Sequence, residues 1–186
     1  MKKMKEKTEK LVVSAMFIAL STVLSVIPAI QLPFGGKMTL LSMLPVMLIP
    51  LKYDFKWGVL TSLVYALIQM ALSFAKVLSW GLTPTVLIAA FLLDYIFAYW
   101  VLCFSGAFKK FGYKGHILGI VVALVLRFIM HFISGIVLWG DIAEEGIGAI
   151  IYSITYNGSY MLPELIFTVI AVVILMKTNV YKKIVS

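Results

Sequence analysis

The chain has 186 residues, 62% of them hydrophobic and only 13% charged, with a mean hydropathy of +1.05 and a net charge of +8. Soluble domains run nearer about 45–50% apolar and about 25% charged, so this composition excludes an ordinary soluble protein and indicates a polytopic helical membrane protein. The lysines flank apolar runs and form no basic stripe interleaved with stacking aromatics, which excludes a nucleic-acid reader, and the single cysteine, Cys103, allows neither an intrachain disulfide nor a cysteine-based metal site.

Six apolar segments follow in chain order. The first runs from about Lys10 to Val26, behind Lys2, Lys3, Lys5 and Lys7. It lacks a small-x-small cleavage site before Pro28, so it reads as a retained helix rather than a signal peptide. It carries Ala15-x-x-x-Ala19, a small-residue face of the kind that lets helices approach closely. A loop, PAIQLPFGGK, leads to a short second segment, about Met38–Leu51, with Pro45 and Pro50 inside it. It is shorter than the roughly 20 residues a spanning helix needs, so a kinked, tilted or partly unwound helix is expected. The third segment covers Trp57 to about Phe74, the fourth about Thr83–Phe104, the fifth about Ile117–Trp139 and the sixth about Ile150–Met176.

The charges between segments agree with one topology. The N-terminal lysines, Lys52, Asp54, Lys56, the KKFGYK loop, Lys182 and Lys183 share one side, expected to be cytoplasmic by the positive-inside bias. Lys37, Lys76 and the loop with Asp141, Glu144 and Glu145 fall on the other. The expected fold is all-α, with six transmembrane helices, both termini cytoplasmic and one integral membrane domain over residues 1–186.

Polar groups inside the apolar segments are where function is sought, because an ionisable side chain at mid-helix costs about 2.5–3.5 kcal/mol on insertion scales. Arg127, His131, Gly135 and Trp139 recur every four residues and form one slowly twisting stripe. His131 supplies a ring nitrogen and Trp139 an aromatic face. Gly135 either makes room for a flat molecule or lets another helix approach. Tyr152, Tyr156, Tyr160 and Glu164 form a second stripe beside Asn157, whose amide can both donate and accept. Asp94 and Tyr95 lie in the fourth segment. Asp94 is placed to pair with Arg127 or to meet a cationic ligand, and Glu164 is a second candidate partner for Arg127. Tyr65 and Gln69 are weaker candidates. An acid among aromatic faces suits a flat, nitrogen-rich cation.

Catalysis is poorly supported: no nucleophile has a recognisable context, and His116 with His131 does not make a metal cluster. No metal and no cofactor are expected. The chain has no G-x-x-x-x-G-K-[ST] loop, so any ATP-driven step belongs to another subunit.

The segments LLDYIFA, RFIMHFISGIVLWG and YSITYNGSYMLPE, with LPFGGKMTLLSMLPVML, resemble the thiamine-specific substrate-binding subunits (S-components) of energy-coupling-factor (ECF) transporters, the ThiT/YuaJ family. The resemblance covers essentially the whole chain. It implies a bacterial cell-membrane protein that captures thiamine outside and delivers it through a transmembrane coupling subunit and two ATPase subunits, with no enzymatic activity of its own. It assigns thiamine binding to Asp94, Tyr95, His131, Gly135, Trp139, Tyr152 and Asn157, and coupling-subunit docking to Ala15 and Ala19. Asp94 stands where some members carry Glu, and Phe34 is the only aromatic residue where some members use a first-loop Trp. The alternatives are an S-component for another vitamin or a precursor such as hydroxymethylpyrimidine, a membrane enzyme, or a stand-alone secondary carrier.

Overall fold

In the computed structural model, which describes residues 2–32, 36–138 and 148–185, the first apolar segment becomes α1 (Lys2–Ser25). Its inner face is lined by small polar residues: Ser14, Ser21 and Ser25 are buried, while Leu11, Val12, Met16, Leu20 and Val23 point outward. The chain then forms a short antiparallel hairpin, β1 (Pro28–Gln31) and β2 (Lys37–Thr39), pairing Ile30 with Met38 and Gln31 with Lys37. This corrects the expectation of a plain loop over PAIQLPFGGK, within a fold that is otherwise helical. It also corrects the second segment, expected from about Met38: the helix there is α2 (Leu44–Lys52). The cause is local. Leu41 adopts a left-handed φ of +62°, which interrupts a helix, and Pro45 in the first turn of α2 is favourable only at a helix start.

Eight successive residues of α2, Leu44–Leu51, are buried. At 1.5 Å per residue such a helix is about half the thickness of a hydrocarbon core. α2 is therefore a central peg rather than a span. It is enclosed by α1, by α3 (Phe55–Leu78), by the 101–106 segment and by α8 (Asn179–Val185). Gly58 of α3 makes one of these contacts possible, since a Cβ there would lie 2.4 Å from the Pro50 Cβ.

α3 begins where Asp54 caps it, its carboxylate accepting from the Trp57 backbone N–H at 2.9 Å. The same carboxylate takes a 2.7 Å ion pair from Lys10 of α1, whose ammonium also lies over the Trp57 ring. These contacts hold the Asp54 carboxyl below the usual range, the Lys10 hydrogen bond contributing most.

The fourth segment starts as α4 (Pro84–Ala90), widens into a π-helical stretch at Phe91–Phe97, returns to a turn of α-helix, α5 (Ala98–Trp100), and tightens to a 3₁₀ segment at Val101–Gly106. After Gly112, with φ +64°, α6 (Gly112–Val137) runs back antiparallel to it: Ser105 lies beside Gly119 and Asp94 beside Ser134. α7 (Ala149–Met176) packs along α6, and Tyr181 of α8 pins the C-terminus by bonding the buried His116 at 2.6 Å. Among the described residues, Met4–Ser25, Phe55–Leu78, Pro84–Val137 and Ala149–Met176 are long and apolar enough to cross a membrane; the third of these stretches contains the two antiparallel legs.

Candidate functional site

The hairpin, α3, the π-helical stretch, α6 and α7 enclose a cavity of about 370 Å³, within the range of small-molecule sites. Its floor is buried and carries Arg127, Tyr99, Asn157 and Tyr160. Exposed Val26, Gln31 and Lys76 mark its open end. Six of the seven predicted ligand-site residues line this one space: Asp94, Tyr95, His131, Gly135, Tyr152 and Asn157. Trp139, the seventh, lies outside the described residues, as do Phe34 and the Asp141, Glu144 and Glu145 loop.

The carboxylate of Asp94 is reached through the wide π-helical turn. A π-helix inserts an extra residue relative to α-helical phase, and such insertions recur at functional sites. Asp94 Oδ2 accepts from the Ser134 hydroxyl at 2.6 Å, and Oδ1 meets His131 Nδ1 at 2.9 Å. With Asp94 ionised, Nδ1 carries the hydrogen and donates. The other ring nitrogen, Nε2, is buried and has no partner among the described residues. Asp94 and His131 are thus a held pair in the cavity wall, with Nε2 shielded from solvent.

Asn157 is held more tightly. Its Nδ2 donates to the Ser153 carbonyl at 3.0 Å and the His131 carbonyl at 3.2 Å, and its Oδ1 accepts from Tyr160 at 2.7 Å. One acceptor lone pair on Oδ1 is left for a solute. The same contact clamps α6 to α7. Gly135 belongs to this clamp: a Cβ there would sit 2.2 Å from Ser153 Oγ and 3.1 Å from Asn157 Nδ2. Of the two roles open for Gly135, close helix approach is the one its surroundings require.

The second stripe is an aromatic wall. Tyr152 and Tyr156 stack with centroids 5.8 Å apart, and Tyr160 meets Tyr156 edge-on at 5.9 Å. The Tyr156 hydroxyl accepts from the Gly36 N–H at 2.9 Å, tying the hairpin to the wall. Glu164, the last member of that stripe, does not line the cavity. It accepts from Thr39 of β2 at 2.6 Å, and it makes no ion pair with Arg127. Arg127 instead lies over the Tyr99 ring, its guanidinium carbon 3.9 Å from the centroid, with Nε and Nη1 unpartnered among the described residues. Asp94 does not pair with Arg127 either; its partners are His131 and Ser134.

Tyr65 and Gln69 serve packing: Tyr65 stacks edge-on against Tyr99 at 5.3 Å, and Gln69 bonds Ser25 at 2.9 Å. Sequence reasoning missed Ser134, Tyr99 and Gly36 as cavity residues. Ser134 had a signal, lying one helical turn after His131. Tyr99 had none, because the π-helical insertion between it and Asp94 breaks the expected period. Ala15 and Ala19 are exposed on the outer face of α1, away from the cavity.

Long apolar helices around one polar and aromatic cavity, open at one end, define a multi-pass membrane protein that handles a small solute. The family model described as thiamine transporter protein (Thia_YuaJ) matches residues 11–184, and the chain belongs to that family, a family of bacterial cell-membrane proteins. It is 32% identical to the thiamine transporter ThiT of Bacillus subtilis (strain 168), with 91% of each protein covered. It is 33% identical over 58 residues to the thiamine transporter ThiT of Lacticaseibacillus paracasei, 31% of this chain and 29% of that protein. A solved structure of ThiT from Listeria monocytogenes superposes with a TM-score of 0.72 at 28% identity, covering 96% of this chain and 98% of that one.

Proposed function

We propose that this chain is the thiamine-binding S-component of an ECF-type importer, acting over its whole length as one substrate-binding domain with six membrane-embedded helical segments and both termini cytoplasmic. The observation that carries the reading is the convergence of Asp94, Tyr95, His131, Tyr152 and Asn157, from three separate elements, on one cavity of about 370 Å³. Asp94 offsets the ligand's positive charge or accepts from its amino group. Tyr95 and His131 line the pocket, and Tyr152 and Asn157 supply the polar contacts to the aminopyrimidine. Trp139 stacks on a ring of the ligand. Gly135 permits the α6–α7 approach that sets His131 and Asn157 side by side.

Delivery requires a transmembrane coupling subunit and two ATPase subunits, which this chain meets through the Ala15 and Ala19 face of α1. The chain itself catalyses nothing. Quenching of intrinsic tryptophan fluorescence by thiamine in the purified protein tests the reading, with calorimetry in parallel. Saturable quenching by thiamine, with hydroxymethylpyrimidine a much weaker competitor, is expected. A flat response in both measurements, or equal competition by the pyrimidine alone, overturns thiamine specificity.

A further inference from the structure

A second hollow opens between α6 and α7, outside the ligand cavity. It is a groove of about 250 Å³ walled by Leu124, Phe128, Gly158, Met161 and Leu165, with the exposed Leu162 at its rim. None of its described lining residues carries a polar side chain. Gly158 keeps it open. Other glycines of α6 serve close approach: a Cβ on Gly119 would lie 2.1 Å from the Ser105 carbonyl oxygen, and one on Gly135 2.2 Å from Ser153 Oγ. A Cβ on Gly158 would meet nothing within 4 Å among the described residues. Glycine is a poor helix former, and no packing contact accounts for it at this position. What the missing side chain leaves is the groove.

Its depth limits what can fill it. α6 and α7 lie in stretches long and apolar enough to cross a membrane, and the groove straddles the midpoint of each helix. That point is about 15 Å from either edge of the hydrocarbon. Water has no polar partner in such a space, and irregular backbone is not found against lipid at that depth. A partner helix, about 10–12 Å across with its side chains, reaches into a groove of this size only with side-chain tips. The end of an acyl chain belongs there.

We propose that this groove seats one acyl chain of a membrane phospholipid, whose tail fills the notch at Gly158 and backs the aromatic wall of the ligand cavity. Met161 and Phe128 line the groove and share one apolar cluster with Tyr156 and Tyr160. A chain in the groove supplies the dispersion contacts that those two side chains lack on their outer side. The site needs only the membrane-crossing helices and is independent of which solute the cavity takes.

The test is photolabelling of the purified full chain, in nanodiscs that hold one chain each, with a phosphatidylcholine carrying a diazirine near the end of one acyl chain. Labelled positions are mapped by peptide mass spectrometry. In the unaltered chain, labelling at Leu124, Phe128, Met161 and Leu165 is expected to exceed by several-fold that at Val64 and Leu67, which are exposed at the midpoint of α3. Gly158→Leu adds a side chain where a Cβ has room, and Leu165→Phe fills the groove from its other end. Each is expected to remove the excess and to leave the labelling of α3 unchanged, with a cooperative melting transition showing that the variant is folded. Equal labelling of the groove and of α3 in the unaltered chain overturns the proposal, whatever the variants do. An excess that survives both substitutions in folded chains also overturns it. A groove unlabelled in one-chain nanodiscs but covered where copies associate belongs to a second copy, which overturns the lipid site as well.

Discussion

Asp94 and Ser134, forty positions apart, are joined by a 2.6 Å hydrogen bond in which the serine hydroxyl donates to the carboxylate. The contact fixes one oxygen of Asp94 while His131 holds the other. The carboxylate is therefore already aimed before any solute enters, and little side-chain freedom remains to be lost on binding.

Asp94→Asn keeps the size of the side chain and removes its charge. It should weaken thiamine binding about tenfold or more, since hydrogen bonds to charged groups contribute about 1.5–3 kcal/mol. Ser134→Ala should produce a smaller loss through Asp94. Titration calorimetry on both variants checks the order; a larger effect of Ser134→Ala would mean the carboxylate acts structurally.

Gly135→Ala should lower thermal stability by about 1–3 kcal/mol, because the added methyl meets Ser153 Oγ at 2.2 Å. Combining it with Ser153→Ala removes that oxygen and should restore part of the loss. Melting curves of the single and double variants in detergent decide this. Equal melting temperatures for Gly135→Ala and the unaltered chain would contradict the α6–α7 clamp.

Ala15→Trp should leave thiamine binding intact and abolish uptake in cells that carry the coupling module. The residue is exposed on α1 and distant from the cavity. Parallel loss of binding and uptake would remove the docking role from this face.

Lys10 and Asp54 give the molecule an acid-sensitive contact between α1 and α3. The folded-state value of Asp54 is depressed, chiefly by the Lys10 hydrogen bond, so its contribution is present above the ordinary aspartate value near about 3.9 and is lost as pH falls through the lower folded value. The pair is largely exposed, which keeps the effect small. Asp54→Asn should flatten the fall of melting temperature below about pH 4.

Much of the cavity is legible in the sequence for a definite reason. Arg127, His131 and Gly135 share a step of four, as do Tyr152, Tyr156 and Tyr160, and α6 and α7 keep regular α-helical phase over those stretches. Regular phase converts spacing into a common face. Asp94 and Tyr95 are legible by their cost in an apolar segment, but their direction is not, because the π-helical turn rotates them out of α-helical phase. The hairpin is illegible for a different reason. Its strands are held by contacts to distant residues, Thr39 to Glu164 and Gly36 to Tyr156, which no local pattern encodes. Arg127 and Glu164 act on each other electrostatically but form no contact ion pair, because each has a nearer neighbour: the Tyr99 ring for one and the Thr39 hydroxyl for the other.

The enclosure of α2 bears on how the protein is made. A helix of nine residues with eight consecutive buried positions has almost no surface to offer lipid and too little length to be inserted by itself. Its surroundings, α1, α3, the 101–106 segment and α8, come from both ends of the chain. The enclosure of α2 is therefore complete only once α8 has been synthesised and has docked. Loss of α8 should leave a chain whose long helices insert but whose central peg is uncovered on one side, with His116 deprived of its Tyr181 partner.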